Sequence, residues 1–312
     1  MRNYILRRLL QLVPVLFLSS VAIFGIVRLS PTDPAILLAG GRQSSPEVLA
    51  AIRAKYRLED PLPRQYLSWI GAAVKGDLGE SYRLKQSVST LIAQRLPLTL
   101  QLILMSMVLS LGAAVPLGVV AAANRGRAAD RAITAFALAA LSSPVFLTGI
   151  LGMLVFSYYL GWLPAFGAGI DFVDNLSHLL LPSIALALNM LALSLRVTRN
   201  GMIEALGSNY VQTAVAKGLP RRTVLMKHAL RNALIPLSTI AGLQVGFLLT
   251  GTVLVEYTFG IGGIGSLLVN AIQSSDYPVI QGATLFVVAS FLLVNLAVDL
   301  LYAAIDPRIR YS

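Results

Sequence analysis

The sequence predicts an all-α, polytopic membrane protein with six transmembrane helices and both termini in the cytoplasm. Composition is the first observation: 56% of the 312 residues are hydrophobic and only 12% charged, with mean hydropathy +0.74. A soluble domain carries about 25% charged residues, so this chain lacks the polar surface to cover itself. The second observation is six long stretches free of Asp, Glu, Lys and Arg, each near the roughly 20 residues that cross a hydrocarbon core. The third is where Lys and Arg fall between those stretches. The net charge of +11 is read as membrane topology and not as nucleic-acid binding, because basic residues collect in cytoplasmic loops. With no Cys in the chain, disulfides, thiolate metal sites and Cys nucleophiles are excluded.

The first expected span is Leu9–Val27, preceded by Arg2, Arg7 and Arg8. A signal peptide has the same start, and Ser20-Val21-Ala22 offers small residues suited to cleavage. The apolar run continues past that point through Val27, which favours a retained span. Residues 30–95 form a long extracytoplasmic loop with helical signals of its own. Ser45 is placed as N-cap, Pro46 at the first helical position and Glu47 in the first turn. "PRQYLSWIGAAVKG" follows as a second helix stopped by Gly76, and "SVSTLIAQRL" leads towards the membrane with Pro97 as a break. The loop is expected to cap the outer face, or to offer a docking surface to an external partner.

The remaining five spans are Leu96–Asn124, Ala132–Leu160, Asn175–Leu195, Asn232–Val255 and Tyr277–Val298, within a core of residues 96–305. Tyr257–Ser275 is also charge-free, but its glycines and polar residues point to a short helix at the interface or tucked into protein. Placing residues 1–29 with an inside amino terminus, the loop 196–233 and the tail 306–312 in the cytoplasm satisfies the charge bias. Arg125, Arg127 and Arg131, and then Arg196, Arg199, Lys217, Arg221, Arg222, Lys227 and Arg231, all fall on that side, as do Arg308 and Arg310. The short loops 161–177 and 257–276 on the other side carry no Lys or Arg.

The connection between the fourth and fifth spans is too long to be a simple linker, since helix–helix connections usually take 2–8 residues. Within it, Val211, Ala214 and Val215 recur at helical spacing and form an apolar stripe. Ser208 or Asn209 is placed as its cap and Gly218 as its stop. Leu219 and Pro220 turn the chain, and a second helix runs into the membrane through Leu234–Pro236. Such an amphipathic segment suits anionic headgroups or a protein partner.

Catalytic chemistry has no foothold. His178 and His228 fall on opposite sides of the membrane, and the chain has no H-E-x-x-H, no G-x-S-x-G and no Gly-Lys pair. No catalytic residue, metal ligand or cofactor site is therefore assigned. Arg28, Glu256 and Asp299 lie at span ends, where they can snorkel or pair. The polar mid-span residues are Gln101, Asn189, Gln244 and Asn295, each either helix–helix glue or a pathway contact. A stand-alone secondary transporter is the alternative class, but it would normally place carboxylates mid-membrane, and none is there.

The stretch "YVQTAVAKG…ALIP" resembles the cytoplasmic coupling loop, or EAA loop, of bacterial ABC-importer membrane subunits. "SPTDPA", "YRLEDPLPRQYLSWIGAAVKGDLGESY", "RLPLTLQL", "PLGVVAA", "DYPVIQG" and "VNLAVDLLYAAIDPRIRY" resemble, in that order, the dipeptide/oligopeptide/nickel permease family. The resemblance implies a type I importer permease in the bacterial inner membrane that binds no cofactor itself. It implies a second homologous permease subunit, two cytoplasmic ATP-binding subunits carrying ATP and magnesium, and an extracytoplasmic solute-binding protein. The family's Glu-Ala-Ala positions fall on Gln212, Thr213 and Ala214, its loop glycine on Gly218 and a later proline on Pro236. Gln212 stands where an acidic residue is usual, Thr32 where a Gly is usual and Gly262 where a Pro is common. The cargo implied is short peptides or related solutes such as nickel chelates, glutathione or opines.

Overall fold

The computed structural model describes residues 2–29, 35–36, 45–55 and 58–305. Thr32 and the tail 306–312 lie outside the described residues. Among the described residues the main helices are α1 (Arg2–Arg28), α2 (Pro46–Lys55), α3 (Leu62–Val74), α4 (Val88–Ala123), α5 (Ala128–Ser142), α6 (Val145–Gly152), α7 (Phe172–Leu206), α8 (Asn209–Ala216), α9 (Arg221–Thr258), α10 (Ile264–Gln273) and α11 (Tyr277–Ile305). Among the described residues no strand forms, and Glu80 and Ser87 make one isolated bridge. The helices α1, α4, α7, α9 and α11 are each long and apolar enough to cross a membrane.

The third expected span, Ala132–Leu160, is not straight. It is the pair α5 and α6, bent by 102°, and the break is at Ser143-Pro144. A residue before proline is pushed out of the helical region, and Ser143 is extended at φ −86°, ψ 127°. With the pair taken as one span the count is six. Pro97 behaves in the opposite way. Expected to break the approach to the second span, it lies inside the continuous 36-residue α4. Its missing N–H removes one bond, a loss that membrane helices tolerate. Val88, Leu91 and Ile92, on the turns before it, are buried.

The chain divides into two compact units, residues 1–99 with 262–312, and residues 100–261. In the first, α1 packs along α11 and α10 is tucked under α11. Val88, Leu91 and Ile92 of α4 form a core with Ile264, Leu267 and Ala271 of α10 and Val279 of α11. The short helix expected within 257–275, at the interface or tucked into protein, is α10, whose Ile264, Leu267 and Ala271 are buried. Ser45 caps α2, its Oγ accepting from Val48 N–H at 3.4 Å, and Gly76 after α3 takes φ +88°. Asp276 pins the loop before α4. Its carboxylate accepts from Ser81 Oγ and from the Tyr82 and Arg83 N–H groups, at 2.5, 3.0 and 3.3 Å. Asp299 accepts from Arg8 at 3.0 Å, so this span-end pair is formed.

In the second unit α7 and α9 make the most extensive helix pair. Small residues let them approach: a Cβ added at Gly201 would lie 3.1 Å from the Ala233 Cα. Two other stretches of this unit are wound irregularly. The last turns after α6, Met153–Tyr159, and the first turns of α9, Val224–Ala229, are wound with the wider π spacing. Glu256, expected to snorkel or pair at the end of its span, does not reach solvent. Its side chain is fully buried, and the Ile261 N–H closes back on its backbone carbonyl at 2.8 Å.

Candidate functional site

The segment between α7 and α9 is built by local rules. α7 ends at Gly207, and Ser208 takes the N-cap position of α8 with extended backbone, φ −78° and ψ 151°. Its hydroxyl does not cap, contrary to the expectation from its residue type, and donates to the Ala205 carbonyl instead. The end of α8 is a complete Schellman turn. Gly218 N–H donates to the Val215 carbonyl at 2.9 Å and Leu219 N–H to the Ala214 carbonyl at 3.3 Å. Gly218 takes φ +74°, a left-handed conformation that glycine adopts without a steric penalty. Pro220 then starts α9, which continues without a break through Pro236 to Thr258.

The apolar stripe of α8 divides in two. Val211 and Ala214, expected on the surface a partner would grip, are 1% and 6% exposed. They face this chain, where α8 packs on α7 and on the first turns of α9. Val215 is 58% exposed and shares the outer surface with Gln212, Thr213, Leu219 and Pro220. Helical periodicity gave a face; it could not say that the chain's own α9 covers most of it. Gln212 Nε2 donates to the Gly207 carbonyl at 3.3 Å, and Tyr210 OH accepts from Asn232 Nδ2.

Two contacts tie this region to the end of α4 and the start of α5. Arg221 Nη2 donates to the Ala123 carbonyl at 3.0 Å. Arg199, near the end of α7, donates from Nε and Nη2 to the two oxygens of Asp130 at 2.6 and 2.8 Å. Asp130 also accepts from Gly126 N–H at 2.8 Å and is 4% exposed. Sequence reasoning counted Arg199 only as a charge that marks topology and passed over Asp130. The available signal was a lone carboxylate inside the basic loop "NRGRAADR".

Of the polar mid-span residues, the structure brings Asn189 and Gln244 together in the wall of one cavity. Gln244 is buried as glue between α7 and α9: its Oε1 accepts from Ser194 Oγ at 2.9 Å and its Nε2 donates to the Met190 carbonyl at 3.0 Å. Asn189 is half-buried and lines a cavity of about 180 Å³ with Leu141, Leu193 and Phe247. Gln101 and Asn295 are half-buried on α4 and α11, in different units. His178 bonds locally with Asp174 at 3.3 Å. Among the described residues, no group of three His, Cys, Asp or Glu is arranged to hold a metal ion.

Comparison with known proteins agrees with this architecture. Residues 114–311 match the family model described as binding-protein-dependent transport system inner membrane component. Residues 1–103 match the model of the amino-terminal region of such membrane components. The chain is 43% identical, over all of both sequences, to the glutathione transport system permease protein GsiC of Escherichia coli O6:H1 (strain CFT073). It is 42% identical, again end to end, to GsiC of E. coli K12. Among solved structures, the inward-facing MetNI methionine ABC transporter superposes with TM-score 0.58 at 18% identity, covering 69% of this chain and 96% of that one; this likeness speaks for the fold. The chain belongs to the binding-protein-dependent transport system inner membrane components, and within them it is a multi-pass ABC-importer permease of the dipeptide/oligopeptide/nickel type.

Proposed function

We propose that this chain forms half of the translocation pathway of an importer for short peptide-like solutes, and that α8 is where partner ATPase subunits drive it. The observation that carries the reading is mechanical. α8 is a closed unit, stopped by Gly218 and seated on its own chain by Val211 and Ala214. Its exposed face of Gln212, Thr213, Val215 and Leu219 is free to enter a groove on a partner. Beyond Pro220 a single helix runs 38 residues, Arg221 to Thr258. A push on α8 is therefore delivered along one continuous helix, π-wound at Val224–Ala229, towards the middle of the membrane.

In this mechanism ATP binding closes the two cytoplasmic ATP-binding subunits and shifts α8. α9 tilts with it against α7 and opens the pathway, formed with a second homologous permease, towards an extracytoplasmic solute-binding protein. Hydrolysis resets the pair. ATP and magnesium act on the partner subunits, and this chain holds neither. The switch requires only a modest preference: moving an equilibrium from 1:99 to 99:1 takes about 5.5 kcal/mol. Asn189 and Gln244 line one cavity; the Gln244 amide is committed to Ser194 and the Met190 carbonyl, which leaves Asn189 as the proposed solute contact. Glutathione, the solute named for the GsiC relatives, is a tripeptide and falls within the proposed cargo class.

The chain has no native Cys, so a single Val215→Cys reports docking cleanly. In the assembled transporter it is expected to crosslink to an ATPase subunit, whereas Ala214→Cys, buried, is expected to crosslink poorly. Intact uptake without any crosslink from Val215 or Gln212 positions would overturn the docking claim. Native mass spectrometry of the partner binding protein, purified with its cargo, identifies the solute. A cargo with no peptide-like backbone would overturn the substrate class.

A further inference from the structure

We propose that the junction of α1 and α3 binds the phosphodiester headgroup of one anionic phospholipid. α1 carries an apolar window of 21 residues bracketed by Arg8 and Arg28. At 1.5 Å per residue this spans about 30 Å, the thickness of the hydrocarbon core, so both arginines fall at headgroup level. The two ends are treated differently. Arg8 is neutralised by Asp299 at 3.0 Å. Arg28 is in no ion pair among the described residues; its guanidinium lies 5.3 Å from the Phe24 ring centroid.

Beside Arg28 lies a cavity of about 400 Å³, also lined by Arg64, Gln65, Trp69 and Asp60. Three of its lining residues carry a buried polar atom with no partner: Arg28 Nε, Gln65 Oε1 and Trp69 Nε1. Two of those atoms are donors. The two arginines against one aspartate leave a single positive charge, which one phosphodiester would balance. Tyr66 meets Phe24 edge to face and Trp69 lies tilted beside it, with ring centroids 5.6 and 6.0 Å away, and Tyr66 OH shares a hydrogen bond with Ser20 of α1 at 2.8 Å. Trp69, beside Phe24 one turn from Arg28, is of a residue type enriched at the membrane–water boundary. The remaining faces of both helices are apolar and bare, with Ile26 68%, Leu29 84%, Leu67 66% and Val74 83% exposed. This surface continues the lipid-facing side of α1, which is why a lipid and not a soluble anion is the expected occupant.

The chain has two tryptophans, Trp69 and Trp162, so the full-length Trp162→Phe protein carries one reporter at the site. It is reconstituted in phosphatidylcholine vesicles containing equal mole fractions of either brominated phosphatidylglycerol or brominated phosphatidylcholine. The brominated anionic lipid is expected to quench Trp69 about fivefold more effectively, the preference one well-placed cation confers near a membrane surface. Arg28→Gln and Arg64→Gln should each reduce that preference, and the unsubstituted comparison stands even if one variant fails to fold. Equal quenching by the two lipids, or a preference that survives both substitutions, would overturn the proposal. So would relief of the quenching by millimolar glutathione or inorganic phosphate, which would give the site to a soluble anion. None of these outcomes depends on the transport reading.

Discussion

Arg199 and Asp130, 69 residues apart in sequence, are joined by two hydrogen bonds of 2.6 and 2.8 Å that tie the end of α7 to the start of α5. The carboxylate is buried and the guanidinium about one-quarter exposed. Removing one partner strands the other, which costs about 3–5 kcal/mol for a fully buried pair; the exposure of Arg199 reduces this to about 2 kcal/mol. Asp130→Asn and Arg199→Gln should each lower the unfolding free energy in detergent by that amount. The double variant should lose less than the sum. Additive losses would mean that the two side chains do not act as a pair.

Gln244 separates a structural role from a pathway role. Its amide bridges Ser194 and the Met190 carbonyl, so Gln244→Leu should destabilise the α7–α9 pair by about 1 kcal/mol, the scale of interhelical hydrogen bonds in membranes. The half-saturating solute concentration for uptake should stay unchanged. A several-fold rise in that concentration at unchanged stability would instead place Gln244 on the solute's path.

How far the sequence was legible depends on the kind of force. Charge-free runs betray spans because no hydrocarbon core accepts charge cheaply, and α1, α4, α7, α9 and α11 cover five of the expected six. The end of α8 was legible because Gly218 and Pro220 act through their own backbones. Pro97 and Pro144 show where this fails. The same residue type is absorbed in α4 and breaks the helix between α5 and α6, a choice that residue type alone does not make. Val211 and Ala214 were recognised as a face but not as an inward one. The Asp130–Arg199 pair was invisible for the same reason, since only the folded chain brings residues so far apart together.

Gly201 tests the close approach of α7 and α9. A Cβ there meets the Ala233 Cα at 3.1 Å and its Cβ at 3.2 Å, and a backbone atom cannot rotate away. Gly201→Ala should cost about 1–3 kcal/mol, as overpacking does, and Gly201→Leu should fail to accumulate as folded protein. A stable Gly201→Leu protein with wild-type unfolding would show that the two helices part readily at this point.

Gly218 offers the sharpest test of coupling, because space and backbone are separable there. No atom lies within 4 Å of an added Cβ, so any cost of substitution comes from the backbone at φ +74°. A left-handed conformation costs about 1–2 kcal/mol for an L residue, and less for Asn, which tolerates it. The series Gly, Asn, Ala, Val should therefore loosen the Schellman turn in that order, freeing Leu219 and the start of α9 from α8. If α8 drives α9 through that turn, solute imported per ATP hydrolysed falls along the series while ATPase activity persists. The global unfolding midpoint should move by no more than a few degrees. A constant ratio of uptake to hydrolysis across all four residues would show that the turn transmits nothing, and that the push enters the membrane by another contact, with Arg221 and the Ala123 carbonyl the next to examine.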